Sequence, residues 1–340
     1  MRVGVLTGGG DCPGLNPVIA AIVRKGLLHD CEFVGITSGW AGLIDNKTMP
    51  LTRKSVSGIL HRGGTILRTS RTNPYKKEDD RKKAIENFKK MGLDALIAIG
   101  GEDTLGVASK LHKDGLNIVG VPKTIDNDLS GTDCTFGFDT ATNICVEAID
   151  RLHTTAESHN RVMVVELMGR HAGWIALQSG LAGGADIVLI PEVPINIEEV
   201  CAIIKKRHEI GKDFSIIAVA EGAQFGDKEI LQTQELDAFG HVRLGGIGQK
   251  LADEIEKRTG FETRVTVLGH VQRGGTPTAF DRFLGLRFGV KAIELVLAKD
   301  FGKMVSLRGT EIKAVPLQEA VSKLRTVPKE MYDFAKIFFG

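Results

Sequence analysis

Short apolar runs alternate with amphipathic stretches along the chain. Runs at 2–7, 32–37, 94–99, 117–121, 161–167, 186–190, 214–220 and 263–268 predict buried strands, because each is short and nearly continuous in aliphatic residues. Between most of them, stretches at 15–28, 79–91, 104–113, 138–157, 172–182, 197–210, 246–258 and 278–298 predict helices. Strand–helix alternation implies parallel sheets with helices on both faces. Eight strands fit two sheets better than one. The expected fold class is therefore α/β, with two doubly wound, Rossmann-like domains whose sheets are mostly parallel and whose active site lies in the cleft between them. The long helix 138–157 is expected to leave the first sheet. A return crossing near 270 then makes both domains discontinuous: 1–138 plus about 272–312, and 139–271 plus about 313–340. The polar, glycine-bearing stretch 222–246 reads as an excursion between domains or a subunit contact.

Composition narrows the function classes. In 340 residues, 42% are hydrophobic and 25% charged, which is ordinary for a globular protein of about two domains. A net charge of +2 gives no global field for nucleic acid or a membrane surface. No apolar run approaches the roughly 20 residues that span a bilayer, and the chain enters a strand at once, without a signal-peptide pattern. Five cysteines, odd in number and without metal-ligand spacing, fit reduced thiols in a cytoplasmic enzyme.

The chemistry gathers in loops after strands, where open α/β sheets bind ligands. Pro122-Lys123-Thr124-Ile125-Asp126-Asn127-Asp128 offers a cation, a hydroxyl and two carboxylates. One acid suits a proton acceptor, and the other a metal or an orienting bond; the plain alternative is a polar turn with a capping aspartate. Gly8-Gly9-Gly10-Asp11-Cys12-Pro13-Gly14 lets backbone N–H groups approach a phosphate at a helix start, or simply makes a tight turn. It lacks the Walker A ending and the dinucleotide spacing GxGxxG, so an NAD-dependent oxidoreductase fails on spacing. Gly100-Gly101-Glu102-Asp103-Thr104 puts two acids at a helix start, which suits Mg²⁺ held with phosphate oxygens as well as it suits a charged cap. Arg71, Arg161, Arg170, Arg264, His270 and Arg273 are candidate phosphate ligands or, taken singly, solvated surface residues.

In order, GGGDCPGLN (8–16), GGEDT (100–104), PKTIDND (122–128), MGRHAG (168–173), PEV (191–193), ETR (262–264) and GHVQRGG (269–275) resemble the phosphofructokinase family across nearly the whole chain. The resemblance implies transfer of a phosphoryl group to the 1-hydroxyl of fructose 6-phosphate, with the two domains serving donor and sugar phosphate. It implies that Asp126 is the proton acceptor, supported by Asp128. Gly9, Gly10, Asp11 and Thr104 bind the donor, and Arg71 and Arg170 contact the transferred charge. Thr124, Ile125, Asp126, Met168, Gly169, Arg170, Glu221, His270, Val271, Gln272 and Arg273 line the sugar-phosphate pocket. Arg161 and Arg264 complete it from a neighbouring subunit, which implies a homo-oligomer, dimer or tetramer. Glu102 takes the family's Mg²⁺-binding position.

Departures from the family pattern bear on the donor. ATP-using members usually carry glycine at the positions of Asp103 and Lys123, so the pair resembles the pyrophosphate-dependent branch. A carboxylate at Asp103 repels the α-phosphate of ATP, and Lys123 adds positive charge beside the reacting diphosphate. The alternatives are the same kinase using ATP, and an inactive sugar-phosphate-sensing subunit. Ala20 and Asp213 stand where regulated members have basic residues, which implies weak or absent allostery.

Overall fold

The computed structural model describes residues 1–226, 231–233, 239–240 and 243–340. Of the stretch 222–246, residues 227–230, 234–238 and 241–242 lie outside the described residues. The strands are β1 (Arg2–Thr7), β2 (Glu32–Ile36), β3 (Thr48–Leu51), β4 (Ala95–Gly100), β5 (Ile118–Pro122), β6 (Val162–Leu167), β7 (Ile187–Leu189), β8 (Ser215–Ala220), β9 (Leu231–Thr233), β10 (Arg243–Leu244), β11 (Thr263–Val267), β12 (Lys303–Arg308) and β13 (Glu311–Pro316). The helices are α1 (Leu15–Gly26), α2 (Gly39–Ile44), α3 (Glu78–Lys90), α4 (Glu102–Lys113), α5 (Phe138–His159), α6 (Trp174–Ala182), α7 (Ile197–Glu209), α8 (Ile247–Thr259), α9 (Ala279–Leu297), α10 (Leu317–Ala320) and α11 (Lys329–Lys336). Every expected strand and helix is present, with ends shifted by one or two residues.

Two sheets carry the site. The first has the order β13-β12-β5-β4-β1-β2-β3, and the second β11-β6-β8-β7. The second is parallel throughout. In the first, β3 and β13 run antiparallel at the two edges of a parallel centre. Covered on both faces, the central strands are buried at every position, as in β4 (Ala95–Gly100) and β6, and all but Glu166 of these two strands are apolar or glycine.

Alternation within the strands divides the core into layers. Val3, Val5, Ile97, Ile99, Val119 and Val121 face one way, into a core shared with Met163, Val165, Leu167, Ile216, Ala218 and Ala220 of the second sheet. One apolar mass thus joins the two sheets. Leu6, Leu96, Ala98 and Ile118 face the opposite way, under α2, α3 and α4. Val162, Val164, Ile217 and Val219 pack against α7 and α8. The expected boundary near 312–313 falls inside the β12–β13 hairpin, where Leu307 pairs with Ile312 and Met304 with Val315. Residues 313–316 therefore belong to the first sheet.

Candidate active site

The loops at the carboxyl ends of β1, β4 and β5 meet the loop after β6 and the 3₁₀ turn Gly269–Arg273 in one cleft. Its walls are Gly9, Gly10, Arg71, Gly101, Glu102, Asp103, Thr104, Lys123, Thr124, Asp126, Asp128, Arg170 and Arg273. Four bases thus face four acids.

Close backbone approach explains the glycines. A methyl group on Gly8 would come within 2.6 Å of Thr104 Oγ1, and one on Gly100 within 2.3 Å of Thr104 Cβ, so the two turns clasp a buried Thr104. A methyl on Gly10 would sit 2.5 Å from Arg273 Nη1. The loop after β1 and the turn 269–273 are therefore in direct apposition at Gly10. Asn16 stiffens this wall from behind: its amide donates to the carbonyl of Arg62 at 3.0 Å, and its Oδ1 accepts from Ile66 N at 2.9 Å. That fixes the loop leading to Arg71.

The Lys123–Asp128 loop is folded onto its own supports. Lys123 N donates to Gly100 O at 2.9 Å, and its ammonium donates to the carbonyl of Gly10. Thr135 Oγ1 donates to Thr124 O at 2.8 Å, while Asn127 Oδ1 accepts from Thr135 N at 3.1 Å. Asn127 sits in the left-handed region at φ 53°, and the turn it makes lets Asp126 and Asp128 both reach the cleft. Asp126 N donates to Thr124 Oγ1 at 3.0 Å, and Asp126 Oδ1 is buried with no hydrogen-bond partner among the described residues.

Burial sets the charges. Asp128 is pushed up from 3.8 to about 7, first by burial and then by the neighbouring Asp126 charge, with Arg170 opposing. Glu221 is raised to about 7 for the same first two reasons. Burial lowers Lys123. Negative charge near Lys123, such as that of Asp126 and Asp11, pulls the other way.

Several expected site residues take other places. Arg170 reaches the cleft through a strained turn, with Gly169 at φ 144° and Arg170 at φ 52°. Its N–H donates to Glu221 Oε1 at 3.2 Å, so Glu221 holds the turn beside the cleft wall. Gln272 does not face the cleft: it is fully buried, with Oε1 accepting from Met168 N and Cys145 Sγ, both at 3.2 Å, and Nε2 donating to Gly269 O at 3.0 Å. It ties the Met168 and Gly269 loops together. The Ile125 side chain is in the core, which leaves only its main chain for a ligand. Asp11, Met168, Gly169, His270 and Val271 adjoin the cleft in sequence without forming its wall. Arg161 and Arg264 lie at the amino ends of β6 and β11, a strand length of about 17–20 Å from the loops at the other end. There Glu262 bridges them, at 2.8 Å from Arg161 and in contact with Arg264.

Among the described residues, no cluster of three or more His, Cys, Asp or Glu forms a ready metal cage. The oxygens of Glu102, Asp103 and Asp128 nevertheless share one wall system, and Mg²⁺ needs only one or two carboxylates when phosphate oxygens and water complete its shell. The donor set fits that ion.

The model of the family described as "Phosphofructokinase" matches residues 2–296. The chain belongs to the phosphofructokinase family. It is 62% identical to the pyrophosphate–fructose 6-phosphate 1-phosphotransferase of Amycolatopsis mediterranei over the full length of both chains. A relative of the same name from Dictyoglomus thermophilum is 54% identical, over all of this chain and 99% of that one. The ATP-dependent 6-phosphofructokinase of Mycobacterium tuberculosis is 52% identical over both full lengths. Among solved structures, phosphofructokinase of Pichia pastoris in the T-state superposes with a TM-score of 0.84 at 33% identity, covering 94% of this chain and 35% of that one. The pyrophosphate-dependent phosphofructokinase of Marinobacter aquaeolei shares the fold, with a TM-score of 0.83 at 21% identity, all of this chain and 91% of that one being covered. The chain is thus a phosphofructokinase, a transferase of the kinase type. Its cleft is lined by residues of the motifs at 8–16, 100–104, 122–128, 168–173 and 269–275, and by none of those at 191–193 and 262–264.

Proposed function

We propose that this phosphofructokinase moves a phosphoryl group reversibly between pyrophosphate and the 1-hydroxyl of fructose 6-phosphate, with Mg²⁺. The observation that carries the chemistry is Asp126 Oδ1, a buried carboxylate oxygen with no hydrogen-bond partner among the described residues, on a residue that lines the cleft. A general base needs a lone pair free for the incoming proton. The 1-hydroxyl oxygen forms a bond to the terminal phosphorus, its proton passes to Asp126, and the bridging P–O bond breaks to release phosphate. Arg71 and Arg170 face the spreading charge, and Arg273 and its loop hold the 6-phosphate. Glu102 would hold the Mg²⁺, which when bound would supply positive charge to the diphosphate oxygens.

The donor assignment rests on Asp103 and Lys123. Both line the cleft, in the first turn of α4 and at the end of β5. Asp103 puts a negative charge where a longer polyphosphate continues. Lys123, held by Gly10 O beside the glycine turn, gives a compact diphosphate a buried counter-charge. Relatives at 54–62% identity carry the pyrophosphate name. The second reading, ATP as donor, is favoured by the relatives at 52% that carry that name. Replacing Asp103→Gly together with Lys123→Gly separates the two readings. Pyrophosphate turnover is expected to fall on the order of 100–1,000-fold while ATP turnover rises. Unchanged pyrophosphate kinetics would remove both residues as donor determinants.

The working form is a homo-oligomer in the cytoplasm. Arg161 and Arg264 are at the wrong end of their strands for their own cleft, which supports their serving a neighbour's. The donor half comprises the seven-stranded sheet with β12 and β13, and the sugar half the four-stranded sheet with α11.

A further inference from the structure

The chain crosses between the two sheets once more near its C-terminus, behind the base loop. α10 anchors the first side: a methyl group on Gly120 of β5 would meet Leu317 Cδ2 at 2.6 Å, and Leu324 bridges to Leu129. α11 anchors the second, where Tyr332 Oη donates to Val188 O at 3.1 Å and Gly340 N to Asp186 O at 3.1 Å. Between these anchors, Arg325 touches both sides. Its N–H donates to Asp128 O at 2.7 Å and its Nη1 donates to Asn127 O at 3.1 Å. Its guanidinium lies 4.1 Å over the ring of Trp174, whose Nε1 donates back to Arg325 O at 2.8 Å. Two residues on, Val327 N and Gly173 N share Glu192 Oε1 at 2.8 and 3.0 Å.

We propose that Arg325 is a positioning residue for phosphoryl transfer, locking the Asp126–Asp128 turn to the loop 168–173 that carries Arg170. Arg325 does not line the cleft and touches no reacting atom. It holds the two carbonyls that follow Asp126, in a turn kept left-handed at Asn127, and it does so from a ring that begins α6. The base and the arginine loop stand on different sheets, so their separation depends on what joins them. Misplacing reacting groups by about 1 Å costs on the order of 100-fold. A planar fork that hydrogen-bonds at its edge while stacking on indole has no equivalent in lysine. The inference rests on Asp126 being the base.

The test uses full-length Arg325→Ala and Arg325→Lys, with Asp126→Ser as control. Both arginine variants are expected to lose on the order of 10–100-fold in kcat, with the dissociation constant for fructose 6-phosphate, measured by calorimetry, within about twofold of wild type. Guanidinium chloride at tens of millimolar restores part of the Arg325→Ala turnover and none of that lost in Asp126→Ser. Wild-type kcat in a folded Arg325 variant overturns the proposal, as does a loss of kcat that follows lost sugar binding and shows no recovery with guanidinium. If the alanine variant does not fold, the kcat and affinity of Arg325→Lys decide alone. Full activity of Asp126→Ser would instead remove the base assignment on which the inference stands.

Discussion

At the scale of single residues, the cleft is a place where burial, more than contact, sets the charge. Asp128 and Glu221 both rise to about 7 because water is excluded and Asp126 is close. The consequence for stability has a definite sign. Below the ordinary aspartate value of 3.8, Asp128 is protonated in both folded and unfolded chains. From there to about 7 the folded chain keeps a proton that the unfolded chain has lost, so stability falls as the pH rises through that window. Glu221 adds a slope of the same sign. Asp128→Asn removes the slope that Asp128 contributes. The melting temperature of the variant should change less than that of wild type between about pH 5 and pH 8, by an amount worth a few kcal/mol. An identical pH slope in both proteins, followed by calorimetry, would show that Asp128 ionises freely. Residue types in loops were legible in the sequence here, and orientation was not. Asp126, Lys123 and Asp103 face the cleft as their chemistry suggests. Gln272 belongs to the same kind of glycine-flanked loop, yet it turns inward because Met168 N and Cys145 Sγ need an acceptor in the dry core. Nothing local in the sequence marks Arg325, whose hydrogen-bond partner Asn127 is 198 positions away.

At the scale of elements, aliphatic density made the central strands plain. β1, β4, β5, β6 and β8 are buried at nearly every position, so their composition alone separates them from the amphipathic helices. The edges were harder to read. β3 has one fully buried residue in four, and β13 (Glu311–Pro316) has none in six. Their pairing is determined by β2 and β12 across the ladder, which a single-strand pattern does not contain. The short α2 and α10 lack the length for helical periodicity to register. α11 is amphipathic but only 8 residues long, starting behind Pro328, and packing on α6 and β7 holds it in place. The elements that carry the cleft loops were therefore the legible ones, because parallel strands buried on both faces are also the strands whose carboxyl ends make ligand sites.

At the scale of the whole molecule, one core joins the sheets, while the ends of the second sheet serve different purposes. Its carboxyl end supplies Arg170 and Arg273 to the cleft; its amino end displays Arg161 and Arg264 around Glu262. If those arginines complete a neighbour's site, two inactive variants should rescue one another. Mixed and reassembled Asp126→Ser and Arg161→Ala/Arg264→Ala chains are expected to recover about a quarter of wild-type activity as a dimer, since hybrids hold one intact site. Activity no higher than the average of the two parents would assign both arginines to a structural role. The central claim concerns the donor, and a coupled assay of the purified protein with fructose 6-phosphate and Mg²⁺ tests it most directly, with pyrophosphate and ATP measured side by side. The account predicts kcat/KM for pyrophosphate above that for ATP by on the order of 100-fold or more; equal values, or faster turnover with ATP, would contradict it.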